Sequence, residues 1–146
     1  MHLDIELRRR VYDIIVARGV PPLIAELTGS MSVNESDIRS ALERLAANRV
    51  LVLQPDSGEI LMAPPFSAVP TPFVVESSRH MSYANCAWDA LGVPCMLREP
   101  VRIITACGCC GEAIDLAVDP AHPPSERAVV HFAVPAARWW VDIVFT

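Results

Sequence analysis

Apolar residues recur every three to four positions through the first third of the chain, then give way to short alternating runs. Leu7, Val11, Ile14 and Ile15 predict a helix reaching Arg18, with Gly19 as its stop. Pro21-Pro22 open a short second helix carrying Leu23, Ile24 and Leu27. The third is the clearest: Ile38, Ala41, Leu42 and Leu45 form an apolar stripe, and Ser32 or Asn34 is placed to cap it. Residues 50–53 then read as a strand, Pro55-Asp56-Ser57-Gly58 as a tight turn and residues 59–62 as the return strand. Three helices and a hairpin in this order form a winged helix-turn-helix pattern.

Pro64, Pro65, Pro70 and Pro72 follow within a few residues and stiffen the chain into an extended link. Phe66, Val69, Phe73, Val74 and Val75 lie among them, so the link is expected to lie over the core rather than hang free. Beyond it, residues 83–91 predict a helix with Gly92 near its end. Residues 101–105 predict a strand, 107–111 a turn and 112–118 the returning strand; 128–134 is another strand candidate. A last β-like run begins at Asp142 and reaches Thr146 without a turn or polar tail. The class is α+β. Residues 1–63 are expected to form a winged-helix-like module, 64–79 a proline-rich connector, and 80–146 a small α/β unit incomplete at its C-terminus.

Composition narrows the partners. A chain of 146 residues with 52% hydrophobic content has enough apolar material for a core. Its net charge of −5, with arginine as the only strongly basic residue, argues against general affinity for nucleic acid. In the third helix Arg39 and Arg44 are balanced by Glu35, Asp37 and Glu43, and the hairpin carries Asp56 and Glu59. DNA binding and a pure packing scaffold are the two readings of this module, and the charge balance favours the second. No apolar run approaches the ~20 residues that span a bilayer, and the N-terminus lacks the pattern of a signal peptide. A cytosolic protein with reduced thiols is expected, and five cysteines suit a disulfide framework poorly.

Those cysteines all fall in the second half, as Cys86, Cys95, Cys107, Cys109 and Cys110. Cys86 and Asp89 are three positions apart, which on a helix places thiol and carboxyl on one face. A thiolate captures soft metals, and a neighbouring carboxylic acid can deliver a proton to a group leaving the metal. The bland alternative makes Cys86 a small buried residue and Asp89 a surface charge. The turn Cys107-Gly108-Cys109-Cys110-Gly111 offers three further thiols that can converge on a soft ion, or that are incidental. His131 reads as a satisfied core residue on an apolar strand. His2, His80 and His122 have no partner at ligand spacing. Trp139-Trp140 read as packing of an amphipathic edge.

The block Asn85-Cys86-Ala87-Trp88-Asp89-Ala90-Leu91-Gly92-Val93-Pro94 resembles the active-site helix of the alkylmercury lyases. The Cys/Gly turn, Val130-His131-Phe132, the N-terminal module and the connector also match that family's layout. The resemblance implies protonolysis of a carbon–mercury bond, with Cys86 as a mercury-binding thiol and Asp89 as the proton carrier. It implies no separate cofactor, mercury being substrate or product ion. The implied partners are a small organomercurial or soft metal ion and low-molecular-weight thiols. Cys109 and Cys110 are expected as accessory metal thiols, with Cys107 beside them. In the family a second catalytic cysteine lies on a later strand, and no cysteine of this chain occupies that place. A truncation, or an in-frame stop codon read as selenocysteine, fits such an ending, and the run from Asp142 is then expected to be a poorly covered edge strand. Two rivals stand beside the lyase: a non-catalytic thiol protein that binds or senses a soft metal, and a winged-helix transcription regulator.

Overall fold

Residues 2–122 and 129–144 are described by a computed structural model, and the periodic apolar positions of the first third form three helices there. Helix α1 (His2–Arg18) buries Leu7, Val11 and Ile15 along one face. Gly19 ends it in the left-handed region at φ +84°, and its amide closes on the Ile15 carbonyl at 2.7 Å. A Cβ at Gly19 would lie 2.6 Å from the Met81 carbonyl oxygen, so glycine also admits a close passage of the later chain. Helix α2 (Ile24–Met31) follows Pro21-Pro22. Its first amides are met by carboxylates: Leu23 N donates to Glu26 at 2.8 Å and Ile24 N to Glu59 at 2.9 Å. Helix α3 (Glu35–Ala47) is capped by Asn34, whose side chain accepts from Asp37 N at 2.9 Å, and buries Ile38, Ala41, Leu42 and Leu45. Both of its arginines are engaged, Arg39 with Glu35 and Arg44 with Asp4.

Seven strands form one antiparallel sheet: β1 (Val52–Leu53), β2 (Ile60–Ala63), β3 (Phe66–Ser67), β4 (Val74–Glu76), β5 (Met81–Ala84), β6 (Val101–Ala106) and β7 (Ala113–Val118), in the order β1-β2-β3-β5-β4-β6-β7. The hairpin after α3 does not stand free, because β2 pairs onward with β3 through Met62↔Ser67 and Ala63↔Phe66. The proline-rich stretch therefore contributes β3 and β4 to the interior of the sheet. Helix α4 (Ala87–Leu97) lies between β5 and β6 in sequence and buries Ala90, Val93, Pro94 and Leu97. A single apolar cluster runs from Leu7 through Phe66 and Val75 to Val93 and Ile103. Hydrophobic burial thus joins the three-helix module to the sheet. Among the described residues, no helix is long and apolar enough to cross a membrane.

Four expectations from the sequence are corrected. Tyr83 and Ala84 lie in a strand rather than a helix, since the ladder to Ser67, Phe66 and Val74 holds them extended. The helix starts at Ala87 and continues past Gly92 and Pro94 to Leu97, because its apolar face goes on finding the core. Residues 129–134 form no strand, and Ala128 lies outside the described residues. Asp142 follows a 3₁₀ helix (Ala136–Val141), and residues 143–144 form a turn, so the expected edge strand does not begin there; Phe145 and Thr146 lie outside the described residues. Among the described residues the sheet ends at β7, and in the C-terminal segment the Phe132 and Trp139 rings meet with their planes tilted by 52°.

Candidate active site

Strand β5 is paired on both sides, to β3 and to β4, so the chain leaving Ala84 emerges from the middle of the sheet. Asn85 follows, and Cys86 remains extended at φ −152° and ψ −178° as the residue capping the N-terminus of α4. The Cys86/Asp89 spacing is therefore that of a helix cap and the third residue of its helix, not of two residues within a helix. The cap and the third helical residue are the positions that face one another across the first turn of a helix. The Cys86 sulfur makes no cap hydrogen bond of full geometry, yet the amides of Trp88 and Asp89 lie close enough to favour its thiolate.

Burial dominates the electrostatics. It pushes the Cys86 thiol above its ordinary range, and the Asp89 charge adds to that while the two amides oppose it. Burial likewise pushes the Asp89 carboxyl up, against the hydrogen bonds from Asn85 and Cys86 that favour its charge. Asn85 Nδ2 donates to Asp89 Oδ2 at 2.9 Å, and Asn85 Oδ1 is buried without a partner. Both shifts run the same way, each favouring the protonated form, and the Cys86 thiol and Asp89 carboxyl are hydrogen-bonded to one another. Tyr12 of α1 braces the same end of the sheet, its hydroxyl donating to Pro64 O at 2.9 Å. Burial, with a contribution from the Asp89 charge, raises the Tyr12 phenol.

A cleft of about 490 Å³ opens over this pair. Asn85, Cys86 and Asp89 form its base, Pro64 and Phe73 one wall, and His131, Phe132, Trp139 and Trp140 the other. The Phe132 and Trp139 rings meet at 4.9 Å, Trp139 Nε1 donates to Val134 O at 2.8 Å, and the Arg49 guanidinium lies 5.7 Å over Trp140. The outer wall is thus an aromatic panel tied back to α3's end. Small apolar groups fit such a largely apolar lining.

The predicted site residues separate into two groups. Cys86 and Asp89 are brought together in the cleft. Cys107, Cys109 and Cys110 do not line it; they lie on the turn between β6 and β7, with Cys109 and Cys110 exposed. Among the described residues no three His, Cys, Asp or Glu side chains are grouped to hold a metal, so convergence of all three turn thiols is not formed. His131 is corrected: it is exposed on an irregular segment facing the cleft, not buried in a strand. Trp139 and Trp140, read as packing of an amphipathic edge, line the cleft. Asn85 and Tyr12 carried no signal of their own in the sequence, since one needs the cap geometry and the other a contact across fifty-two positions.

A family model described as alkylmercury lyase (MerB) matches residues 66–146. Among solved structures, the fold is similar to one described as the mercury-bound form of MerB2, at 23% identity and a TM-score of 0.63. The match covers 79% of this chain and 55% of that one, so the chain spans little more than half the length of that relative. No protein of curated function matches significantly.

Proposed function

The chain belongs to the alkylmercury lyase family, and from that premise we propose that its cleft binds a small organomercurial and cleaves the carbon–mercury bond by protonolysis. The observation that carries the reading is the Cys86–Asp89 pair, hydrogen-bonded to one another and both lining one largely apolar cleft. The substrate enters as its adduct with a low-molecular-weight thiol. Cys86 sulfur bonds to mercury, its proton passes to the Asp89 carboxylate, and the external thiolate is displaced. Mercury-bound sulfur raises electron density on the carbon, and Asp89 returns the proton to that carbon as the carbon–mercury bond breaks. The hydrocarbon departs and the displaced thiolate takes its place on mercury. The products are the hydrocarbon and a Cys86–mercury–thiolate species, with Asp89 again a carboxylate, so atoms and charge balance. Among the described residues no second thiol lines the cleft, which is why the external thiol supplies the second sulfur.

Asp89 suits the step because partial desolvation makes its acid form available nearer neutral pH than an exposed aspartate allows. The test is benzene release from phenylmercury in excess monothiol. The unaltered chain should release benzene and Cys86→Ser should release none; equal release by both would remove Cys86 from the chemistry.

A further inference from the structure

The second group of thiols is arranged for a task of its own. Cys107 through Cys110 form a Cys-x-x-Cys turn at the end of the β6–β7 hairpin. Gly111, at φ +74°, returns its amide to the Cys107 carbonyl at 2.8 Å, and Cys107 N donates to Glu112 O at 2.8 Å. This closure folds residues 108–110 into a tight turn, which brings Cys107 and Cys110 close at Cys-x-x-Cys spacing. Cys109 and Cys110 are both exposed, and of the two it is Cys110 that stands at Cys-x-x-Cys spacing from Cys107. No third His, Cys, Asp or Glu among the described residues joins the pair, so the site suits an ion content with two ligands.

We propose that Cys107 and Cys110 form a separate two-thiolate site for a soft, two-coordinate cation such as Hg(II). Soft d¹⁰ ions bind thiolates strongly and accept two of them, whereas zinc in structural sites takes four ligands. The exposed turn admits the ion from solvent or from a thiol complex. Its binding displaces the Cys110 thiol proton, and the Cys107 proton where present, to water. The proposal does not depend on cleavage in the cleft.

The probe is Hg(II) itself, added to the full chain carrying Cys86→Ser and Cys95→Ser, which leaves only the turn thiols. Two tethered thiolates act at an effective concentration in the millimolar range or above. This background should therefore keep one Hg(II) per chain against about a hundredfold excess of a monothiol. Adding Cys110→Ser, a change at an exposed side chain, should weaken retention by about tenfold or more. Adding Cys109→Ser should leave it unchanged. Equal losses in the two variants, or no retained ion in the background, would overturn the proposal. Half an ion per chain with dimer formation would also overturn it, in favour of a four-thiolate bridge between two copies. Because Cys86 is absent throughout, failure here leaves the cleft reading standing, and success does not lend it support.

Discussion

Asp89 is held between opposed influences. Burial raises its carboxyl, while Asn85 and Cys86 donate to it and favour the charge. The acid must be ionised to receive the Cys86 proton, so cleavage should rise as pH passes upward through the raised Asp89 value. Asn85 is then a positioning residue whose removal leaves burial less opposed. Asn85→Leu should shift the rising limb of the pH–rate profile to higher pH and lose about 1 kcal/mol of stabilisation, about fivefold in the plateau rate. A slower plateau with an unmoved limb would show that Asn85 acts only through packing. Cys86 and Asp89 themselves were legible from three-residue spacing, although the physical cause is a helix cap rather than a helix face. Asn85 was not legible, because nothing in the sequence says that the strand ends one residue before it.

Helix ends hold this fold together with charge as well as with apolar contact. Glu26 receives the Leu23 amide and the Arg18 guanidinium, and these partners hold its carboxyl down at about 2 against an ordinary 4.5. A depressed carboxyl contributes stability that is complete above 4.5 and is lost as pH falls toward 2. The pair is about two-fifths exposed, so solvent limits the gain to about 1 kcal/mol or less. Glu26→Gln should therefore lower stability toward urea at neutral pH and converge on the unaltered chain as pH approaches 2. A difference that persisted there would place the effect in packing. The first three helices were readable because Leu7, Val11 and Ile15, then Ile38, Leu42 and Leu45, repeat at a purely local period. The last two residues of β5, Tyr83 and Ala84, were read as the start of the helix because four residues carry almost no period, and the strand's conformation is imposed by β3 and β4 from outside.

The sheet positions Cys86 and Asp89, and residues of the segment 131–144 line the cleft beside them. Strand order could not be read, since β5 enters between β3 and β4 by pairings that no local pattern encodes. The C-terminal apolar residues suggested strands, but the described ones form an aromatic wall instead. Trp139→Ala removes the Phe132 contact, worth about 0.5–1.5 kcal/mol. It should weaken capture of phenylmercury about tenfold or less at an unchanged single-turnover rate; a changed rate with unchanged capture would mean the wall takes part in the chemistry.

In the proposed reaction Cys86 captures mercury and Asp89 carries the proton to carbon. Asp89→Asn separates the two roles, because amide replaces acid while the thiol remains. Mass spectrometry of the intact protein, read beside benzene release, records both in one sample. The variant should accumulate as an uncleaved phenylmercury adduct on Cys86, with release slowed about 10²–10⁴-fold. Benzene release at the unaltered rate from Asp89→Asn would contradict the account.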